Sequence, residues 1–264
     1  MDIKIAFGAT EDWLEYTFVT MCSILSNVKG VNEKYIFYVM SDIPEEKFET
    51  LFEPIKYKLN NIYPFEYKYI KMNNSDFDGV VHDKRVGISA YYRLKLPSLL
   101  NKEKVIYLDS DLVVTDDISN LWNYDIDNYY FGAVEDKYSD IMGCQANLSE
   151  GETYINSGVM LMNLKSFRCD NLEEKIFKKL REQDNTYSDQ DVLNDICRNK
   201  ILSLPLKFNL MLTRDDPNSF PNRKQEYKES LKTPVILHYS IKPWILPVQY
   251  SEYWRKYEAI LKND

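Results

Sequence analysis

Val105-Ile106-Tyr107-Leu108-Asp109-Ser110-Asp111 runs from four apolar or aromatic residues into two carboxylates separated by one serine. A short continuous apolar run of this kind reads as a buried strand, expected over Lys104–Leu108. Ligands of open α/β sheets gather beyond the carboxyl ends of the strands, which is where Asp109 and Asp111 fall. Side chains at i and i+2 of an extended chain point the same way, so both carboxylates can reach one point. Like charges that close repel unless a cation sits between them. Oxygen ligands suit Mg²⁺ or Mn²⁺, and an added imidazole tilts the choice toward Mn²⁺. The competing reading is a strand that ends in a solvated acidic turn, where Asp is common.

Working outward, Ile3–Phe7, Tyr35–Met40 and Phe65–Ile70 are expected strands. Leu14, Phe18, Met21, Leu25 and Val28 recur at helical spacing, which predicts a helix from Asp12 to Val28. Pro44–Leu59 opens with Pro-Glu-Glu, a good helix start. Ser89–Leu100 reads as helical despite Pro97. Further on, Phe131–Val134, Gly158–Leu164 and Pro234–His238 are expected strands, and Leu172–Glu182 and Asp189–Arg198 expected helices. Strands alternating with helices predict an α/β fold, a mostly parallel sheet with helices on both faces. Asp215–Gln225, rich in Pro, Asn and charge, is expected to be a long mobile loop.

Composition bounds the function. The 264 residues carry a formal net charge of −8, which argues against general nucleic-acid binding. It leaves a nucleotide open, because one metal ion offsets local phosphate charge. With 44% hydrophobic and 14% aromatic residues the chain can build a sizeable core. The N-terminal residues lack the pattern of a signal peptide and no apolar run is long enough to span a bilayer. Cys22, Cys144, Cys169 and Cys197 show no paired C-x-x-C spacing and read as reduced thiols in a cytoplasmic protein. The two histidines are His82 and His238. Tyr250–Lys262, mixing aromatic and basic residues, reads as a short helix packed on the domain. Peripheral contact with the inner membrane face is the alternative.

Three further stretches carry polar groups at the ends of apolar runs. Pro234-Val235-Ile236-Leu237-His238 closes a strand on a histidine, with Lys242, Pro243 and Trp244 just beyond. His238 is the natural third ligand beside the two aspartates, although a satisfied core histidine would look the same. Lys242 can pair with a phosphate as a point charge. Tyr154-Ile155-Asn156-Ser157-Gly158-Val159 puts Asn156 and Ser157 at the mouth of a buried strand, with Gly158 leaving room for a ligand. Asp189-Gln190-Asp191 opens a helix, where acids suit the first turn and capping alone would explain them.

Taken together and in this order, these blocks resemble glycosyltransferase family 8, the retaining α-glycosyltransferases. Trp13–Tyr16, Tyr92-Arg93-Leu94-Lys95-Leu96, Leu108–Asp111, Ile155–Val159, Asp189-Gln190-Asp191 and His238 to Trp244 carry the likeness, which spans nearly the whole chain. The resemblance implies a single GT-A domain, with a nucleotide-binding half over about residues 1–115 and an acceptor half with the closing segment over about 116–264. It implies a UDP-glucose or UDP-galactose donor and a glycan, glycoprotein or glycolipid acceptor. It implies Mn²⁺ (or Mg²⁺) on the diphosphate, held by Asp109, Asp111 and His238. Ala9, Thr10, Asp12, Arg93, Ser110, Asn156, Asp189 and Lys242 would face the donor, and Gln190 would lie near the anomeric carbon. Thr10 stands where the family often has an Asp, and Ile241 follows His-Tyr-Ser where a Gly is usual. An amide is a poor nucleophile, which favours attack from the leaving-group face with Gln190 orienting. Asp191 and Asp136 are the candidates for a carboxylate role. A haloacid-dehalogenase-like phosphatase, which also uses D-x-D after an apolar strand, and a self-glycosylating scaffold are the alternatives.

Overall fold

The computed structural model describes residues 1–80, 87–136, 152–182, 188–212 and 220–262. His82 and Cys144 lie outside the described residues, as do residues 215–219 of the expected loop. The rest of that loop is ordered chain: Phe220 is buried and a helix starts at Lys224.

Strands β1 (Asp2–Gly8), β2 (Lys34–Ser41), β3 (Phe65–Lys71) and β4 (Lys104–Leu108) pair in parallel in the order β3-β2-β1-β4. The sheet continues through β7 (Ile155–Asn163), antiparallel to β4, then β6 (Phe131–Glu135) and β8 (Ile201–Ser203). It is therefore a mixed seven-stranded sheet. A second sheet joins β5 (Leu112–Val114), β10 (Ile236–Tyr239) and β9 (Leu210–Leu212).

Alternation along the central strands fills both faces. Ile3, Ile5 and Phe7 of β1, Ile106 and Leu108 of β4, and Val159 and Leu161 of β7 enter one core. Ala6, Val105, Tyr107, Met160 and Met162 enter the other. A strand buried on both faces reads as a continuous apolar run, the pattern β4 displays. Helices α1 (Glu11–Ser26) and α2 (Glu45–Ile62) cover the first core through Leu14, Phe18, Phe48 and Phe52.

One expected helix takes a different form. Ile88–Lys95 is a 3₁₀ helix, followed by the single α-helical turn α3 (Leu96–Leu99). Pro97 occupies the opening of that turn, where its missing N–H costs nothing, so the α segment starts there. Tyr91, Tyr92, Arg93 and Leu94 are buried, which suits a tightly wound segment packed on all sides.

After α4 (Ser119–Trp122), helices α5 (Leu164–Cys169), α6 (Leu172–Glu182) and α7 (Asp189–Cys197) pack on the second core. Helices α8 (Lys224–Lys232) and α9 (Ser251–Lys262) end the described chain. Trp254, Tyr257 and Leu261 of α9 are buried in the first core, and Asn27 donates from Nδ2 to Tyr257 Oη at 2.7 Å. Cys22, Cys169 and Cys197 are free thiols. No helix among the described residues is long and apolar enough to cross a membrane.

Asp109–Asp111 is the hinge between the two sheets. The chain leaves the large sheet after Leu108 and enters the small one at Leu112. Leu112 pairs with His238 in β10, and Tyr239 donates its N–H to Asp111 O at 2.9 Å. On the other side Asp109 donates its N–H to Gly158 O at 2.9 Å, bringing the opening of β7 alongside.

Candidate active site

The hinge opens into a cavity of about 380 Å³. Arg93, Asp109, Ser110, Asp111, Asn156, Asp189, Gln190, His238 and Lys242 line it, together with Gly8, Trp13, Ser157 and Met211.

Asp109, Asp111 and His238 each offer one ligand atom, and those atoms lie within 4.8 Å of one another. Two carboxylates and an imidazole are a donor set that can hold a divalent metal ion. Gly158 explains how they fit together. A Cβ on it would come 2.5 Å from His238 Cε1 and 2.6 Å from Asp109 Oδ2. The glycine makes room for the ligating side chains themselves, rather than for an approaching ligand as the sequence suggested.

The two aspartates have different neighbours. Asp109 Oδ1 accepts from Arg93 Nη2 at 2.7 Å and from Tyr107 Oη at 3.1 Å. Asp111 Oδ1 faces His238 Nε2 at 3.1 Å, and Lys242 Nζ pairs with Asp111 Oδ2. Burial opposes the Asp111 charge, yet His238 and Lys242 outweigh it and hold the carboxyl below the ordinary range.

Arg93 is buried and organises the floor. It donates to Ala90 O at 2.7 Å, to Ser157 O at 2.5 Å and to Ser157 Oγ at 2.9 Å, and pairs with Asp189 Oδ2 at 3.3 Å. Its guanidinium carbon stands 4.3 Å from the Tyr107 ring centroid. Burial would lower its pKa, but Asp109, Tyr107 and Asp189 raise it overall. Asp189 sits in the same low-dielectric setting, and there burial wins over Arg93 and raises its pKa.

The far wall is an amide network. Gln190 Oε1 accepts from Ser157 N at 3.0 Å and Asn156 Nδ2 at 3.2 Å, while Gln190 Nε2 donates to Asp136 Oδ2 at 3.2 Å. Asp136 is buried, supports Gln190 and Asn156 from behind and is not part of the cavity lining. Asp191 forms a capping box with Ser188 and accepts from Tyr154 Oη at 2.7 Å, also away from the lining. Among the first-loop residues, Gly8 and Trp13 line the cavity, whereas Ala9, Thr10 and Asp12 do not. Ala9 is buried with its N–H on Met40 O, and Asp12 is exposed on the first turn of α1. Ser110 Oγ bonds Thr17 Oγ1 at 2.7 Å.

The family model of glycosyl transferase family 8 matches residues 4–245. The chain belongs to glycosyltransferase family 8. This family 8 chain is 29% identical over 256 residues to general stress protein A of Bacillus subtilis (strain 168), covering 92% of itself and 87% of that protein. It is 26% identical over 251 residues to a lipopolysaccharide 1,2-glucosyltransferase of Escherichia coli (strain K12), covering 92% and 72%. An active-site mutant of LgtC matches with a TM-score of 0.81 at 23% identity, over 100% of this chain and 97% of that one. The galactosyltransferase LgtC with donor and acceptor sugar analogs matches with a TM-score of 0.74 at 24% identity, with the same coverage. The fold is thus GT-A, and membership in the family sets the phosphatase alternative aside.

Two residues, Asn209 and Tyr107, escaped the sequence reading. Asn209, buried, bonds His238 Nδ1 at 2.9 Å and donates to Asn156 Oδ1 at 2.8 Å. The available signal was a lone amide between Phe208 and the apolar Leu210-Met211-Leu212. Tyr107 looked like one more core residue of β4, but its Oη bonds Asp109 and its ring faces the Arg93 guanidinium. Trp244 anchors the segment after Lys242, stacking on Tyr16 with centroids 3.8 Å apart and meeting Trp254 at 4.6 Å.

Proposed function

We propose that this glycosyltransferase moves a hexose, glucose or galactose, from a UDP-sugar to a glycan, glycoprotein or glycolipid acceptor with retention of configuration. The observation that carries the reading is the convergence of Asp109, Asp111 and His238 on one point of a cavity that Arg93, Asn156, Asp189, Gln190 and Lys242 also line. Mn²⁺, or Mg²⁺, would be held by the two aspartates and His238, where it would neutralise charge that builds on the diphosphate as the glycosyl bond breaks.

The chain's own residues supply the remainder. Lys242 lies beside Asp111 and can turn its ammonium to a phosphate oxygen once the carboxylate has another cation. Trp13 and Gly8 form the mouth on the β1 side, where a nucleoside would enter over residues 1–115. Residues 116–264 would then carry the acceptor side. Gln190 Oε1 already accepts two amide hydrogens from the protein, which leaves little electron density for nucleophilic attack. Asp136 and Asp191, the carboxylates a double displacement would need, are turned into supporting bonds. Both facts favour attack by the acceptor from the leaving-group face, with Gln190 orienting the sugar. The likeness to a lipopolysaccharide glucosyltransferase favours a glycolipid acceptor at the cytoplasmic membrane face.

The test is UDP release from a panel of UDP-sugars with Mn²⁺ and then with EDTA. Metal-dependent release from one or two sugars is the expected result. No release from any, with no metal-dependent UDP binding, would overturn the reading. Intact mass after incubation with donor alone separates transfer to water from transfer to one of the 21 tyrosines.

A further inference from the structure

Two backbone N–H groups settle the orientation of every amide around His238. Gly158 N–H can only donate, so the Asn156 atom 3.0 Å from it is the carbonyl Oδ1. Ser157 N–H in the same way identifies Gln190 Oε1 at 3.0 Å. Asn156 Nδ2 is then left to donate to Gln190 Oε1 at 3.2 Å and Asp136 Oδ2 at 3.4 Å. Asn209 approaches Asn156 Oδ1 at 2.8 Å, and an acceptor needs a donor, so the approaching atom is Nδ2. The other end of Asn209 is therefore its carbonyl Oδ1, which stands 2.9 Å from His238 Nδ1. A carbonyl facing a ring nitrogen at that distance requires a hydrogen on the nitrogen.

We infer that Asn209 is a positioning residue that holds His238 in its Nδ1–H tautomer and leaves the Nε2 lone pair aimed at the metal position beside Asp111. The opposite tautomer would set the Nδ1 lone pair against the Asn209 carbonyl. Turning the Asn209 amide to relieve that contact would set two carbonyls together at Asn156, whose own orientation Gly158 N–H holds. On the Nε2 side the competing acceptor is Asp111 Oδ1, at 3.1 Å against 2.9 Å for Asn209, and the charge of Asp111 is already met by the Lys242 ammonium on Oδ2. Hydrogen bonding at the distal nitrogen orients a ligating imidazole and raises its basicity, and loss of such a partner commonly weakens metal binding ~10–100-fold. Asn209 is 1% exposed, so water does not readily replace it.

The tautomer can be read directly, since the protein has two histidines and a His82→Gln variant assigns the signals. Long-range ¹H–¹⁵N correlation on metal-free protein, at a pH where the ring is neutral, should show His238 as Nδ1–H. In Asn209→Leu, of similar volume and without an acceptor, that form should give way to Nε2–H or a mixture. Nε2–H in the wild type, or an unchanged tautomer in the leucine variant, overturns the inference. Mn²⁺ titration followed by electron paramagnetic resonance is the second arm. Asn209→Leu should bind ~10–100-fold more weakly. Equal affinity for wild type and the leucine variant also overturns it. Only the metal arm rests on the proposed function, so the spectra separate a failure of this inference from a failure of that reading.

Discussion

The two carboxylates of the Asp109-Ser110-Asp111 hinge are separated by one residue and belong to opposite kinds of wall. Asp109 is bound on the large-sheet side through Tyr107 and Arg93, both buried, and Arg93 is also tied to Ala90, Ser157 and Asp189. Asp111 is bound to the small sheet through His238 and Lys242, with Lys242 on a segment whose nearby Ile241, Ile245 and Leu246 are exposed. The difference separates a rigid side from an adjustable one. An arginine wedged among Ala90, Ser157, Asp109 and Asp189 cannot leave without stranding charges, whereas a lysine at a surface segment can exchange one anion for another.

The largest effect expected from this asymmetry concerns the aspartates themselves. Asp111→Asn should lower kcat/KM more than ~100-fold, beyond the usual effect of a supporting residue, and cost the fold less than the same change at Asp109, because the Lys242 side chain it leaves behind is 25% exposed and can turn to solvent. Asp109→Asn should lose as much activity and also destabilise the fold, because Arg93 then keeps its buried charge with one partner fewer. Breaking a buried pair costs about 3–5 kcal/mol, and the shared Asp189 should hold the loss toward the lower end. Denaturant midpoints of the two variants side by side check this. Equal stability would dissolve the distinction between the walls.

Next comes the residue that lets the walls meet. Gly158→Ala places a methyl between His238 Cε1 and Asp109 Oδ2, at 2.5 and 2.6 Å. Either ligand must move, so Mn²⁺ affinity measured by titration should fall ~10–100-fold, with an overpacking cost of about 1–3 kcal/mol in stability. Unchanged metal affinity would mean that the pocket relaxes without disturbing the ligands.

This glycine also shows what could be read in advance. The run Val105–Asp111 was legible because its strand, its carboxylates and their spacing are contiguous, and the long strands and helices of the first half announced themselves by period. The three-residue strands β5, β8 and β9 went unread because a period-two pattern needs more residues than they have. Cavity residues in ordered blocks, such as Asn156, Asp189 and His238, stood out as polar groups at the start or end of an expected strand or helix. Asn209 did not, since its role exists only through contacts with residues 53 and 29 positions away. For Gly158 the small size was noticed but not the cause, which lies in two side chains distant in sequence, Asp109 of the hinge and His238 of β10. Asp191 illustrates the reverse: capping was the local reading of this helix opening, and a capping box with Ser188 is what the structure has.

A smaller effect is expected on the amide wall. Gln190→Ala removes bonds that orient the wall but no metal ligand, so kcat should fall about tenfold, equivalent to the about 1–1.5 kcal/mol of one hydrogen bond. UDP-sugar binding, measured by calorimetry, should stay close to wild type. Abolished transfer with normal donor binding would instead favour a direct covalent role for Gln190 and count against attack from the leaving-group face.

The smallest effect is the pH dependence of stability without metal, and its sign separates Asp111 from Asp189. Burial opposes ionisation of both. At Asp111 the charges of His238 and Lys242 win and lower the pKa; at Asp189 burial wins over Arg93 and raises it. A group whose folded pKa is lowered binds fewer protons in the folded state than in the unfolded one. Its contribution is therefore present above the ordinary carboxylate pKa of about 4 and fades as pH falls below it. A raised pKa works in the other direction, so the Asp189 contribution is present at low pH and is lost as pH rises through the folded value. In EDTA, the wild type should lose stability relative to Asp111→Asn on acidification below about pH 4. Relative to Asp189→Asn it should gain as the pH falls through the raised folded value toward about 4, and run level below that. Parallel curves for both variants would mean that one field acts on the whole cavity, and the division into a rigid and an adjustable wall would then have no electrostatic counterpart.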